Sequence, residues 1–560
     1  MAAAEAAITA DRSTADPAIW ITRLPDADII SQAKALEAMG PEGKPLWGLT
    51  FAVKDNIDVA GLPTTAACEG FAYTLTTSAP AVSRMMEAGA VLIGKTNLDQ
   101  FATGLVGVRS PYGVPRNVFD PARVPGGSSS GSAIAVAAGI IDVSLGTDTA
   151  GSGRVPAAFG GIVGLKPTPG AVSARGMVPA CQSVDTISVF ARSVDRALAV
   201  LRVIEGFDND DPWSRHPPAG YLRRGVWADG TRIATADVAA LCDPEVARLY
   251  DHAAGMVGTG TIDLTPYLNI ARLLYEGPWV AERTAALRRV VTQQPEIMHP
   301  VTRAITEGGF TRTAVDAFDA FHELARVRRL AETMFARYDA LLLPTAPFCP
   351  TLRELEADPI GPNSRLGTFT NFANLCGMAA VAIPAGLGLD GLPVGVMLLG
   401  PSWSEGRLAT IADHLHRRLT EVRQPAAAPD ALAAGETALF CIGAHMAGLP
   451  LNGQVTGLGG RFLRAARTTP DYRLHALGAR PGLVRAAVGA AIAGEVWALP
   501  TASIGALLAM VPPPLGFGTV TLEDGPCLGF LAEAFAVEGT PDITAHGGWR
   551  AWLKAKESGT

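Results

Sequence analysis

The sequence predicts an α/β protein built on a mixed central sheet flanked by helices, with a smaller α+β domain at its C-terminal end. Two observations carry that expectation. Short apolar runs of strand character recur between segments of helical period, as in folds where strands alternate with helices. Later the chain passes through VRQPAAAPDALAAG, a Pro/Ala-rich stretch with the character of a linker, and a new strand pattern starts beyond it. A chain of 560 residues is also too long for one compact core. The expected division is residues 1–422, a linker at 423–436, and a second domain at 437–560.

In chain order, a helical segment is expected around Pro17 to Met39. LTFAV then reads as a buried strand ending in the polar cluster Lys54-Asp55-Asn56. Residues 78–90 form a helix with Val82, Met85, Met86 and Ala90 on its apolar face. VLIGKT (91–96) is a strand, the small-residue run 132–139 a packed helix, and IIDVSLGTD (140–148) a strand ending in a Gly/Thr/Ser loop. Residues 239–335 are mostly helical, and strands return at ALLLPTAP (340–347), AAVAIPAG (379–386) and LPVGVMLLG (392–400). In the second domain, TALFCIGA (437–444) and AGEVWAL (493–499) are strands.

Composition excludes several classes. A net charge of −7 without a block of Lys/Arg disfavours nucleic acid and anionic membrane as partners, because both need a clustered positive field. Residues 496–522 carry no charge and are long enough to span a bilayer, but Pro500 and the run Pro512-Pro513-Pro514 break a helix there, so strands and turns are expected. The N-terminus lacks the apolar stretch with basic flank of a signal peptide. Seven scattered cysteines with no Cys-x-x-Cys pair suit a reducing cytoplasm and neither a disulfide framework nor a zinc site.

Three segments carry chemistry. Lys54 emerges from the apolar run LTFAV, so it is expected to be at least partly desolvated, which lowers the pKa of an amine toward that of a base. The bland alternative is an exposed loop lysine. GGSSSGS (126–132) brings several hydroxyls together on an adaptable backbone, or is a flexible loop. In GTDTAGSGR (146–154) the N–H groups of Thr149, Ala150, Gly151 and Ser152 are arranged to converge on an oxyanion, unless the loop is an ordinary turn or a phosphate cradle. All nine histidines lie at position 216 or later and no GxSxG elbow surrounds Ser152, so a serine activated by lysine is the economical reading.

In the order Lys, Gly-Gly-Ser-Ser, Gly-Ser-x-Arg, the chain resembles the amidase signature family over about residues 20–420. The resemblance implies an amidase-signature fold, Lys54 as base, Ser128 as bridging serine with a cis peptide, Ser152 as nucleophile, and no metal or other cofactor. In the family the bridging serine precedes the nucleophile by 24 residues, which selects Ser128 over Ser129 and Ser130.

The segment LLYEGPWVAERTAAL (273–287), if one helix, places Tyr275 and Arg283 about two turns apart near one face, within reach of one anion. Otherwise Arg283 is a surface residue paired with Glu282 or Glu276. YEGPWVAER, the extended nucleophile loop and the appended C-terminal domain resemble the allophanate hydrolases of the family. That likeness implies Tyr275 and Arg283 as carboxylate-recognition residues, allophanate as substrate and a homodimer, with the allophanate supplied either by a coupled urea carboxylase or by triazine breakdown. The C-terminal domain resembles the gamma-glutamylcyclotransferase fold, but Gly443-Ala444-His445 departs from its Tyr-Gly-Ser-Leu loop and no acidic catalytic residue is evident. A decarboxylating role would fall to His445, unless that residue caps a strand end. Competing readings are the glutaminase component of a tRNA-dependent amidotransferase, a malonamide-type amidase, and a degenerate amidase serving as a scaffold.

Overall fold

The computed structural model describes residues 1–420 and 429–557, and the chain divides into two compact units. One is Met1–Pro217, Ile233–Phe335 and Ala340–Gln424; the other is Pro218–Arg232, Ala336–Asp339 and Pro425–Thr560. Of the expected linker, residues 423–428 lie outside the described residues, and Glu436 already belongs to a strand.

An eleven-stranded mixed sheet organises the first unit. Its strands are β1 (Trp20–Arg23), β2 (Thr50–Lys54), β3 (Val91–Thr96), β4 (Val143–Asp148), β5 (Val163–Lys166) and β6 (Thr186–Ala191). They are followed by β7 (Ile233–Thr235), β8 (Gly258–Thr261), β9 (Ala340–Pro344), β10 (Ala379–Leu387) and β11 (Pro393–Gly400). The spatial order is β1-β3-β2-β4-β6-β5-β10-β11-β9-β7-β8. β2 runs parallel to β3 and β4, while β4, β6, β5, β10, β11 and β9 follow one another antiparallel. Every residue of β2, β3, β4, β6 and β11 is buried. That explains why these strands read as continuous apolar runs rather than alternating ones: both faces of the sheet are covered.

The covering helices include α1 (Ala2–Thr14), α2 (Asp26–Met39), α3 (Pro80–Glu87), α4 (Ser130–Ala137), α5 (Val155–Phe159) and α6 (Val194–Ile204). A largely helical stretch follows, with α7 (Pro244–Val257), α8 (Thr265–Glu276), α9 (Trp279–Gln293), α10 (Pro300–Glu307) and α11 (Ala314–Phe335). Small residues let α4 lie close against the sheet: a Cβ at Gly131 would collide with the carbonyl of Ile19 and the amide of Asn97. Among the described residues no helix is long and apolar enough to cross a membrane.

Two expectations needed correction, and one element was missed. The single helical segment at Pro17–Met39 is a short turn at Pro17–Ile19, then β1, then α2; the pairing of Trp20–Arg23 with β3 overrides helical period. A preceding helix, α1, was not anticipated; its Ala4, Ala7 and Ile8 bury one face. In α3, Val82 and Met85 are buried, but Met86 is 43% exposed and Ala90 lies beyond the helix, past a left-handed Gly89.

The second unit is built on a five-stranded sheet and a hairpin. Its strands are β12 (Glu436–Cys441), β13 (Arg461–Arg467), β14 (Tyr472–Leu477), β15 (Arg480–Arg485), β16 (Ala493–Pro500), β17 (Leu515–Leu522) and β18 (Gly525–Ala532). The sheet order is β13-β16-β12-β18-β17, and β14 pairs with β15. Its core includes Leu439, Phe440, Trp497, Val520 and Phe530. The uncharged stretch 496–522 forms β16 and β17 as expected, with a short helix, Ile504–Ala509, between them.

β5 crosses directly behind the loop after β4, and a Cβ at Gly164 would meet the carbonyl of Gly153. Gly164→Ala therefore lowers the stability of the first unit by about 1–3 kcal/mol, an overpacking cost. The expected readout is a lower urea midpoint at unchanged slope; an unaltered midpoint contradicts this packing.

Candidate active site

The site forms at the carboxyl ends of the parallel neighbours β2 and β4, where strand ends leave a crevice in sheets of this kind. β2 delivers Lys54 and β4 delivers Thr147 and Asp148 beside it. The segment Gly127–Ser128, joined by a cis peptide as the family resemblance implies, leads into α4.

Lys54 is fully buried. Its Nζ donates to Ser128 Oγ at 2.8 Å and to Thr147 Oγ1 at 2.7 Å. Among the described residues no carboxylate reaches ion-pair distance of this amine. Burial pushes the Lys54 pKa down to about 7, against the opposing pull of Asp99, Asp185 and Asp148. The exposed-lysine alternative is thereby excluded.

Ser152, 2% exposed, lies in the loop between β4 and α5. That loop is ordered by a buried ion pair the sequence reading overlooked. Arg154 Nε donates to Asp148 Oδ2 at 2.9 Å and Nη2 to Asp148 Oδ1 at 3.0 Å, with both side chains fully buried. Burial opposes ionisation of Asp148, but Arg154, Lys166 and the Gly153 amide together hold its carboxyl below the usual range. Arg154 also donates to the Thr370 carbonyl and to Asn374 Oδ1, and Asn374 Nδ2 returns a bond to the Asp148 carbonyl. The turn is thus tied down from both sides. The structure brings Lys54 and Ser128 into direct contact, whereas the Ser152 hydroxyl bonds to no protein group among the described residues. Such links are often loose without substrate.

The expected set of oxyanion donors changes. Gly151 N–H is already donated to Asp148 Oδ1 at 3.0 Å, and Gly153 N–H to Oδ2 at 3.0 Å. Both amides are spent on the carboxylate that shapes the turn, so Gly151 is withdrawn from the donor set. The N–H groups of Thr149, Ala150 and Ser152 find no acceptor among the described residues. Thr149 Oγ1 donates to Asp185 Oδ1 at 2.5 Å, and Thr370 Oγ1 to the Ala150 carbonyl at 2.6 Å, which orients these two peptides. Burial pushes Asp185 up to about 6. Asp185 also borders a cavity of about 260 Å³ whose walls include Met177, Pro179, Gln182, Asp211 and Trp213.

Tyr275 and Arg283 come together, but not on one helix. Gly277-Pro278 ends α8 and starts α9, because proline supplies no N–H to continue the ladder. Across that corner the Arg283 guanidinium stands 5.5 Å from the Tyr275 ring centroid. Arg283 is 1% exposed. Its Nη1 donates to Thr103 Oγ1 at 2.6 Å and its charge interacts with the buried Cys181 thiol, while its Nη2 is buried without a hydrogen-bond partner among the described residues. Neither alternative carboxylate engages it: Glu276 pairs with Arg272, and Glu282 accepts from the amide and hydroxyl of Ser183. An N–H group of a buried cation left without an acceptor costs about 1–3 kcal/mol or more, a cost that a bound anion would remove.

In the second unit His445 lies in the loop beyond β12 and caps no strand end. Its Nε2 bonds Gln454 Oε1 at 2.9 Å and its ring stacks on Phe530 at 4.7 Å. Burial lowers its pKa, so the neutral imidazole is favoured. Nearby in sequence, Ala447 N–H donates to the buried carboxylate of Glu495, which also receives Trp497 and Arg550. Among the described residues no group of three or more His, Cys, Asp or Glu side chains is arranged to hold a metal ion.

Comparison with known proteins agrees with this geometry. The amidase family model matches residues 6–409, and the model of the allophanate hydrolase C-terminal domain matches residues 437–554. The chain belongs to the amidase family. It is similar to the urea amidolyase of Saccharomyces cerevisiae, with 40% identity over 96% of this chain and 31% of that one. This chain therefore spans about a third of the length of the urea amidolyases it matches. A solved allophanate hydrolase from Kluyveromyces lactis superposes with a TM-score of 0.76 at 39% identity, covering 97% of this chain and 93% of that one. A component of the glutamyl-tRNA(Gln) amidotransferase of Nitratidesulfovibrio vulgaris is 36% identical over 71% of this chain and 89% of its own length.

Arg154→Met strands Asp148 as a buried charge without its counterion. The expected loss is about 3–5 kcal/mol of stability, visible in chemical unfolding. A loss below about 1 kcal/mol would mean that the pair does not organise the loop.

Proposed function

We propose that this chain hydrolyses allophanate, the carboxylated urea, to ammonia and N-carboxycarbamate through an acyl-enzyme. The observation that carries the reading is the partnerless Nη2 of buried Arg283 in the same unit as the buried Lys54–Ser128 pair. Lys54 Nζ lies 2.8 Å from Ser128 Oγ, and in its neutral form the amine can keep one N–H on Thr147 while turning its lone pair to the Ser128 hydroxyl. Ser128 passes a proton to Lys54 as it takes one from Ser152, and Ser152 Oγ attacks the carbamoyl carbon. The oxyanion is held by the amides of Thr149, Ala150 and Ser152. The proton returns through Ser128 to the departing ammonia, and water then cleaves the Ser152 ester. Arg283 and Tyr275 hold the substrate carboxylate, so one end of a small molecule is fixed while the other reacts.

Support comes from the similarity to allophanate hydrolase across both units and from the C-terminal match. The amidotransferase reading accounts for less of the chain, since those relatives match only 71% and 69% of it. In the second unit, neutral His445 is the proton donor or base for decarboxylating N-carboxycarbamate. The protein works as a cytoplasmic homodimer on allophanate made by a urea carboxylase. Its free cysteines and its likeness to urea amidolyases favour that setting.

Ammonia release is the test, with allophanate, malonamate, glutamine and an aromatic amide compared. Allophanate is preferred; Ser152→Ala abolishes turnover, and Arg283→Ala raises KM for the carboxylated substrates with little change for the aromatic amide. Turnover of another amide with allophanate ignored sinks the substrate assignment. Because only unprotonated Lys54 accepts a proton, kcat/KM rises with pH through about 7 and levels off above. A profile flat from pH 6 to 9 rules out Lys54 as the base.

A further inference from the structure

Arg283 does not aim itself. It reaches the site from the first turns of α9, and its one side-chain hydrogen bond to a hydroxyl is the 2.6 Å contact from Nη1 to Thr103 Oγ1. Thr103 is fully buried, and its own hydroxyl faces the Phe101 carbonyl at 3.2 Å. It follows two residues, Phe101 and Ala102, that both adopt left-handed backbone with φ near 52°, a conformation rare outside glycine. The Thr103 carbonyl is gripped by Arg109 Nη1 at 2.9 Å. Arg109 and Gly107 in turn donate their amides to the two oxygens of Asp99, each at 2.9 Å.

The same loop is fastened to the bridging serine. Asp99 N–H donates to the Ser128 carbonyl at 3.0 Å, and Gly127 N–H donates to the Leu105 carbonyl at 2.8 Å. A side chain cannot be added at Gly127, where a Cβ would run into Asp99 and Gly107. Residues 99–109 therefore connect the arginine fork to the Gly127–Ser128 peptide through hydrogen bonds at both ends.

We propose that Thr103 is a specificity-determining positioning residue: its hydroxyl fixes the Arg283 fork so that a carboxylated amide, rather than a neutral one, is held in register with Ser128 and Ser152. With Nη1 taken by Thr103, the buried Nη2 is left without a hydrogen-bond partner among the described residues, and a carboxylate entering the site is the group that satisfies it. Asp99 and Arg109 act through Thr103 as the frame that keeps the spacing constant. This rests on the carboxylate-recognition role given to Arg283 above.

The experiment compares Thr103→Val, Thr103→Ala and Thr103→Ser in the full chain. Steady-state kinetics are measured on allophanate, malonamate and the neutral aromatic amide, and malonate serves as a competitive probe of the anion subsite. Removing the hydroxyl raises KM for both carboxylated substrates and weakens malonate inhibition about tenfold, the scale of one charge-assisted hydrogen bond. kcat/KM on the neutral amide stays within about twofold, and Thr103→Ser restores the wild-type values. In an Arg283→Ala background, Thr103→Val adds nothing further. Equal losses on charged and neutral substrates, or an unshifted malonate inhibition, overturn the proposal; if valine prevents folding, the alanine and serine variants decide it. Failure of the wild type to prefer carboxylated substrates is a separate result and defeats the parent reading instead.

Discussion

The candidate site in the first unit is built around an amine that has been removed from water. A lysine at the end of a fully buried strand loses its hydration, and what replaces it is two hydroxyls rather than a carboxylate. Had an acid been placed within ion-pair distance, the ammonium would be stabilised and useless as a base. Asp99, Asp148 and Asp185 act on it only from a distance, enough to keep its pKa near 7 instead of far below. Neighbouring Lys95 shows the contrast. It is equally buried, but it is paired with Asp55 at 3.0 Å and bonded to Thr64, so it serves as a structural cation.

The surrounding carboxylates have separate tasks set by their partners. Asp148 is neutralised by Arg154 and spends its remaining lone pairs on the amides of Gly151 and Gly153, so it shapes the turn. Asp185 forms no ion pair within 4 Å among the described residues, feels Arg283 only at longer range, and orients Thr149 and the Ala180-Cys181 peptides. Asp99 organises the loop that carries Thr103. Each of these is a short bond, and together they leave a buried amine held by hydroxyls alone and a buried guanidinium with one nitrogen lacking a hydrogen-bond partner among the described residues, the two groups on which the proposed activity and specificity rest.

Much of this was legible in the sequence because the informative features are local. Strand ends were visible as apolar runs stopping at Lys54 and Asp148, and the small-residue segments at 126–132 and 146–154 announced close backbone approach. Long-range partners were not legible. Thr103, Asp185 and Thr370 lie tens to hundreds of residues from the groups they hold, with no spacing rule to signal them. The Asp148–Arg154 pair did carry a signal, opposite charges six apart inside an otherwise uncharged loop, though the serine between them draws the eye first. Tyr275 and Arg283 do come within 5.5 Å of each other, but across a corner, since Gly277-Pro278 replaces the expected single helix. β1 escaped notice because a four-residue strand is too short for periodicity to outweigh its helical flanks.

The proposed chemistry depends on the protonation of Lys54. Nitrogen NMR of ¹⁵Nζ-lysine-labelled protein, with the Lys54 signal assigned by comparison with Lys54→Met, measures it directly. Lys166, also pushed to about 7 by burial, is assigned in the same way. A Lys54 resonance titrating near pH 7 is expected; a signal that stays fully protonated until about pH 10 rules out a neutral base at this position.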